Sequence, residues 1–232
     1  MIELVNGDCV GEIEKLIEQG IKVDCIITDP PYFISKENNF KTMGRAGIDF
    51  GTWDKGNISF IFLDEFKKIL TKNGSAIIFY DWKKISYLID AAEKAGFICK
   101  DILRFEKTNP MPRNRDRRYI SDTEYAVWFT TPKAKWVFNR QMDSYQRPKF
   151  VSCVERGYHP TQKPVSVMED IIKIHTTECM TILDPFAGSG TTGVACINTN
   201  RNFIGIELNK EYFDVAKERI NNKIWEMERN EK

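Results

Sequence analysis

The sequence predicts an α/β protein built on a doubly wound, mostly parallel sheet, and three observations carry that expectation. Short β-branched apolar runs alternate with stretches of helical period along most of the 232 residues. Two runs, Val23 to Thr28 and Met180 to Leu183, stop at an acid followed by proline, and a third, Asn202 to Ile206, stops at Glu207. Acids at strand ends suit a fold whose ligands bind beyond the carboxyl ends of parallel strands.

Taken in order, Ile2 to Val5 reads as a strand, Val10 to Gln19 as a helix and Val23 to Thr28 as a buried strand, too short and too β-branched for a helix. Ile58 to Leu70 has helical period and stops at Asn73-Gly74, after which Ser75 to Tyr80 is a strand. Lys83 to Ala95 is a helix ended by Gly96; Phe97 to Phe105 and Thr123 to Phe129 are strands that can pair antiparallel. Pro164 to His175 is a helix with proline in its first turn, and Met180 to Leu183 and Asn202 to Ile206 are strands. Asn209 caps a last helix running from Lys210 to about Trp225.

The most informative residues are Asp29-Pro30-Pro31-Tyr32, at the end of the Val23 to Thr28 strand. Two prolines fix φ and hold the preceding residues extended, so the local carbonyls point in nearly predetermined directions. A rigid pair of acceptors beside an aromatic face suits a planar amine. The Asp29 carboxylate and Pro30 carbonyl would accept its two N–H groups and free its lone pair for attack, while Tyr32 stacks on the ring. The plain alternative is a strand followed by a proline-rich turn.

A second group, Asp184-Pro185-Phe186-Ala187-Gly188-Ser189-Gly190-Thr191-Thr192-Gly193, follows the Met180 to Leu183 strand. Its glycines permit a tight strand-to-helix turn and close approach of a ligand to free N–H groups, and Glu207 at the next strand tip is placed to accept two ribose hydroxyls. The spacing of Gly188, Gly190 and Gly193 also fits a dinucleotide fingerprint, which keeps an NAD-dependent oxidoreductase open. Against it, too little chain follows Gly193 for a second mononucleotide-binding half, and the Asp184-Pro185-Phe186 lead-in is foreign to that fingerprint.

Together the Asp-Pro-Pro-Tyr and Asp-Pro-Phe-x-Gly-x-Gly-Thr-Thr segments resemble those of the S-adenosylmethionine-dependent DNA amino-methyltransferases. Their order, catalytic segment first, resembles the β-type permuted subgroup. The resemblance takes in Gly7-Asp8-Cys9 and His159-Pro160-Thr161-Gln162-Lys163-Pro164 and covers most of the chain. It implies a Rossmann-like, permuted methyltransferase fold of seven strands, one antiparallel, with S-adenosylmethionine as cofactor and no metal. It implies Asp29, Pro30, Pro31 and Tyr32 as catalytic residues. It places Asp8, Cys9, Thr161, Lys163, Asp184, Phe186, Gly188, Ser189, Gly190, Thr191 and Glu207 at the cofactor, with Lys163 toward its methionine carboxylate. An acid in first position is commoner in adenine N6 enzymes than in cytosine N4 enzymes, so site-specific adenine N6 methylation of DNA leads. Cytosine N4 methylation, an RNA or protein amide methyltransferase and a catalytically silent DNA-binding module stand behind it. No cysteine follows a proline as cytosine C5 chemistry requires.

Composition fits one catalytic domain, 1–232. With 34 Lys plus Arg against 33 Asp plus Glu, net charge says nothing about a polyanionic partner. Six scattered cysteines read as reduced thiols of a cytoplasmic protein. Neither a signal peptide nor a membrane span is legible. Two basic segments suit double-stranded DNA. One holds Arg113, Arg115, Arg117 and Arg118; the other, opening with Lys133, Lys135 and Arg140, interleaves cations with Trp136, Phe138 and Tyr145. Residues 133–157 fit no core element and lie where the family places its target-recognition region. That region is short, so the site read is short or a homodimer contributes, and a cognate restriction endonuclease is a further partner. Residues 33–56 form a long irregular stretch suited to a mobile loop over an extruded base.

Overall fold

A computed structural model describes residues 1–31, 60–108, 110, 119, 122–139, 149–150 and 162–230. Along the chain run β1 (Ile2–Asn6), α1 (Cys9–Glu18), β2 (Val23–Thr28), α2 (Phe62–Ile69), β3 (Leu70–Phe79), α3 (Ile85–Lys94), β4 (Ile98–Lys107) and β5 (Thr123–Thr130). There follow β6 (Lys149–Phe150), α4 (Val165–His175), β7 (Thr181–Asp184), α5 (Thr191–Asn198), β8 (Asn202–Glu207) and α6 (Lys210–Asn230).

One sheet runs in the order β1-β8-β7-β2-β3-β5-β4-β6. β5 is antiparallel to both its neighbours, and every other pairing is parallel. The β-branched runs alternate their side chains between two cores. Ile26, Ile78, Val127 and Ile204 meet Ile13, Phe62, Phe66 and Leu88 of α1, α2 and α3. On the opposite face Ile27, Ile77, Phe79, Trp128 and Phe203 meet Val167, Ala195 and Ile220 of α4, α5 and α6. Helices on both faces explain why the central strands are apolar throughout rather than alternating. β1 lies beside β8, with Ile2 opposite Phe203. Among the described residues no helix is long and apolar enough to cross a membrane.

Three details depart from expectation. β3 starts at Leu70, straight out of α2, and takes in Asn73-Gly74 as an irregular excursion; the register against β2 jumps between Val23↔Leu70 and Cys25↔Ser75. The excursion is held because Thr131 donates its N–H to the Gly74 carbonyl and its hydroxyl to that of Lys72. An eighth strand, β6, adds two residues to the edge of β4 within the 133–157 span. Finally α6 continues past Trp225 to Asn230.

Candidate active site at the carboxyl edge of the sheet

The strand order reverses between β7 and β2, and a crevice opens at such a point beyond the strand ends. Thr28 donates its hydroxyl to Asp184 Oδ1 at 2.7 Å, Phe186 donates its N–H to the same oxygen at 3.2 Å, and Thr192 donates to Oδ2 at 2.6 Å. A single buried carboxylate thereby ties β2, β7 and α5 together. Burial raises the Asp184 carboxyl to about 6, against the lowering pull of those three donors. Asp184 therefore serves first as a pin that sets the distance between the two halves of the crevice.

Beyond it the chain turns through Gly188 and Gly190, whose φ values of 53° and 78° lie in the left-handed region that glycine adopts freely. A Cβ on Gly188 would meet nothing within 4 Å, whereas one on Gly190 would lie 3.0 Å from the Ala216 Cβ of α6. The turn is braced from both sides. Glu207, at the tip of β8, accepts the Gly188 N–H at 2.8 Å on Oε2 and the Asn209 N–H at 2.8 Å on Oε1. Arg219 of α6 donates to the Ser189 carbonyl at 2.7 Å and to its hydroxyl at 3.1 Å. Burial raises the Glu207 carboxyl, and the backbone donors oppose that rise. Each oxygen of Glu207 keeps acceptor capacity for a hydroxyl. Open space beyond Gly188, free helix N–H groups and a strand-tip carboxylate together fit the ribose and amino-acid parts of S-adenosylmethionine.

At the end of β2 the Asp29 side chain is about one-fifth exposed and Pro30 is buried. Lys163 reaches Asp29 Oδ2 at 2.5 Å. Among the protein's own groups the Lys163 ammonium is thus seated on Asp29, the acid that the resemblance implies to be catalytic. Burial pulls the Lys163 ammonium down, but Asp29 and then Glu124 outweigh it, so the net direction is up. Next to Lys163, Gln162 accepts the Ser189 hydroxyl at 3.2 Å, so these two consecutive residues span from the glycine turn to Asp29.

Of the other expected site residues, Asp8 caps α1, its Oδ2 accepting the Val10 and Gly11 N–H groups at 3.1 Å each. It stays at the site because Gly7 donates its N–H to the Glu207 carbonyl at 3.1 Å. The Cys9 thiol is pushed up to about 12 by burial and by neighbouring Asp8, which keeps it a neutral packing group. Phe186 packs edge-on to Phe62 at 5.5 Å, while Ser189 and Thr191 are buried in the turn. Lys133 and Lys135 are not brought to this edge. β5 is antiparallel, so its end at Thr130 stands opposite Ser75, just past the Asn73-Gly74 excursion of β3, and Ile98, where β4 begins. Lys135 there donates its N–H to Asn73. The neighbouring aromatics pack on Trp128 yet stay exposed: Trp136 and Phe138 contact it at 6.0 and 5.6 Å. By Lys149 the chain has crossed to the carboxyl edge, beside Glu106 and Lys107. Tyr32, Thr161, Arg113, Arg115, Arg117, Arg118, Arg140 and the loop 33–56 lie outside the described residues.

Sequence reasoning missed Thr28, Thr192, Gln162, Arg219 and Glu124. For Glu124 a signal existed, an acid at the head of an otherwise apolar strand, Thr123–Thr130, which needs a partner if it is covered.

Comparison with known proteins agrees with this fold. A family model described as DNA methylase matches residues 23–218. The chain is 34% identical over 240 residues to the Type II methyltransferase M2.DpnII of Streptococcus pneumoniae, covering 94% of this chain and 88% of that protein. The crystal structure of an M1.HpyAVI–SAM complex superposes with a TM-score of 0.79 at 42% identity, over 94% of this chain and 100% of that one. The cytosine-N4-specific PvuII DNA methyltransferase shares the fold alone, with a TM-score of 0.70 at 16% identity over 96% of this chain and 90% of that one.

Proposed function

The chain belongs to the DNA methylase family, and from that premise we propose that it methylates the N6 amino group of adenine at a specific site in double-stranded DNA, using S-adenosylmethionine. The observation that carries the choice of adenine is the carboxylate of Asp29 at the head of Asp29-Pro30-Pro31-Tyr32, standing at the crevice between β2 and β7. When bound, the cofactor supplies a methyl group on a sulfonium. The protein's part is to position and desolvate. Asp29 and the Pro30 carbonyl accept the two N–H groups of the target amine and favour a pyramidal nitrogen. Tyr32 stacks on the extruded base. Glu207 and the Gly188–Gly190 turn hold the nucleoside end of the cofactor, and Asp8 and Cys9 lie on the same side through the Gly7–Glu207 contact.

The DNA face is the same carboxyl edge. β4 ends and β5 begins there, so the segment carrying Arg113, Arg115, Arg117 and Arg118 leaves and rejoins the sheet at the same edge as Asp29, with β3 between. The later part of 133–157, from Lys149 on, serves target recognition, and 33–56 closes over the base. A cytoplasmic location and a second copy of the chain belong to the same reading, as does a cognate restriction endonuclease, with which the Type II names of the relatives are consistent.

Nucleosides from DNA of cells expressing the protein decide the base: N6-methyladenine is expected, and N4-methylcytosine in its place would overturn the choice. In single-turnover assays Asp29→Ala abolishes transfer while the fold is kept, because Asp29 acts on the amine in the transition state. Tyr32→Phe retains more activity than Tyr32→Ala, since the π-face survives. Near wild-type rates for Asp29→Ala would refute the mechanism.

A further inference from the structure

Four charged side chains of alternating sign cross the carboxyl edge from one strand to the next. Asp29 follows β2; Lys163 sits over the end of β3, its Nζ 5.1 Å from the centre of the Phe79 ring. Glu124 opens β5, with Oε2 3.9 Å from Lys163 Nζ. Lys107 closes β4 and is ion-paired to Oε1 of the same Glu124. The formal charges of the four cancel. Glu124 is held by the ladder opposite Phe105, and the two strands are joined beside it where Lys107 donates its N–H to the Asp122 carbonyl at 2.6 Å. Lys163 is only 9% exposed, so its ammonium has little water to share its charge and depends on these carboxylates.

An ammonium this close to one carboxylate oxygen has two effects on Asp29. It fixes the carboxylate, and it draws electron density from a group that must accept a weak amine donor. A second carboxylate on the far side of the ammonium moderates the draw and keeps the fix. We propose that Glu124, braced by Lys107, is a positioning residue that acts through Lys163 to hold the Asp29 carboxylate in place and able to accept the target amine. The proposal rests on the reading of Asp29 as the group that receives that amine.

The test is a double-mutant cycle. Glu124→Gln keeps the shape of the side chain and removes its charge. It lowers the single-turnover methyl-transfer rate about tenfold, while the dissociation constant for S-adenosylmethionine stays within about twofold. In a Lys163→Met background the same substitution changes nothing further, because the ammonium it acts through is gone. An unaltered rate for Glu124→Gln, or an equal loss in both backgrounds, would overturn the proposal. A second readout needs no activity. Lys163 Nζ, faced by Asp29, Glu124 and through it Lys107, titrates at lower pH in Glu124→Gln than in the wild type, as followed by heteronuclear NMR. An unchanged titration overturns the proposal even if no DNA substrate is methylated, whereas a wild-type protein inactive on adenine with the titration moved as expected refutes only the choice of substrate.

Discussion

Replacing Asp184 by Asn isolates the energetic consequence of burying a carboxylate to pin three elements together. The carboxyl titrates at 3.8 when unperturbed and at about 6 in the folded protein, chiefly because burial disfavours the charge. At about 1.4 kcal/mol for each tenfold change in protonation equilibrium, ionising it within the fold costs about 3 kcal/mol relative to the unfolded chain. Between the two values the folded state binds more protons than the unfolded one, so this group's contribution to stability falls as pH rises and is fully spent above about pH 6. About 2 kcal/mol of that loss falls between roughly pH 4.5 and 7.5. Other acids titrate in the same range, and the comparison with the variant removes them. Asp184→Asn replaces one of the two acceptor oxygens that Thr28 and Thr192 use by an amide N–H donor, a roughly constant offset of about 1–3 kcal/mol. The difference between the two proteins should nevertheless move in favour of Asn by about 2 kcal/mol across that window. Urea unfolding at a series of pH values measures both quantities. Parallel stability curves for the two proteins would show that Asp184 is ionised at no special cost, and the account of it as a buried pin would fail.

Other expectations follow from the same edge. Glu207→Gln places an amide N–H against either the Gly188 or the Asn209 donor, and S-adenosylmethionine should bind about 10- to 100-fold more weakly by calorimetry; undiminished affinity would remove Glu207 from the cofactor site. Gly190→Ala forces a Cβ into a left-handed turn against Ala216 and should cost about 1–3 kcal/mol in thermal or denaturant unfolding; an unchanged melt would contradict the packing described. Replacing Arg115 and Arg117 by Ala should weaken binding to all DNA sequences alike and reduce the salt dependence by about one in slope per lost contact, with an unchanged slope returning those arginines to a solvated surface.

Much of this was legible in the sequence because the signals are local. Apolar runs covered by helices gave β2, β5, β7 and β8, and the partly exposed runs of β1 and β4 were legible too, each to within about two residues, while proline and glycine punctuated Asp29 and the Gly188–Gly190 turn. What escaped lacks a local signal. Asn73-Gly74 reads as a break after α2, yet carbonyls there are claimed by Thr131, 57 residues away in the case of Gly74. β6 is two residues long and exists only because β4 offers it an edge. The last turns of α6, Glu226 to Asn230, are nearly all polar and carry no helical stripe. The partner of Lys163 escaped for a similar reason: a lysine before a helix says where the ammonium starts, and only the assembled edge says which carboxylates it reaches.

The pairing of Ile2 with Phe203 has a consequence for biosynthesis. The amino group of Met1 bonds to Asn202 across a separation of 201 residues, and among the described residues β1 finds its one neighbouring strand in β8. Strands β2, β3, β5 and β4 can assemble among themselves as they leave the ribosome, but β1 emerges ahead of them and must wait. At ordinary rates of synthesis, about 5–20 residues per second, that wait lasts about 10–40 s. Through it β1 is an unpaired strand on a nascent chain, open to any other edge in reach. β7 and β8 then have to arrive together, one to dock on β2 and the other to receive β1. The crevice proposed to hold the cofactor is bounded by these late strands, so it comes into being only near the end of synthesis.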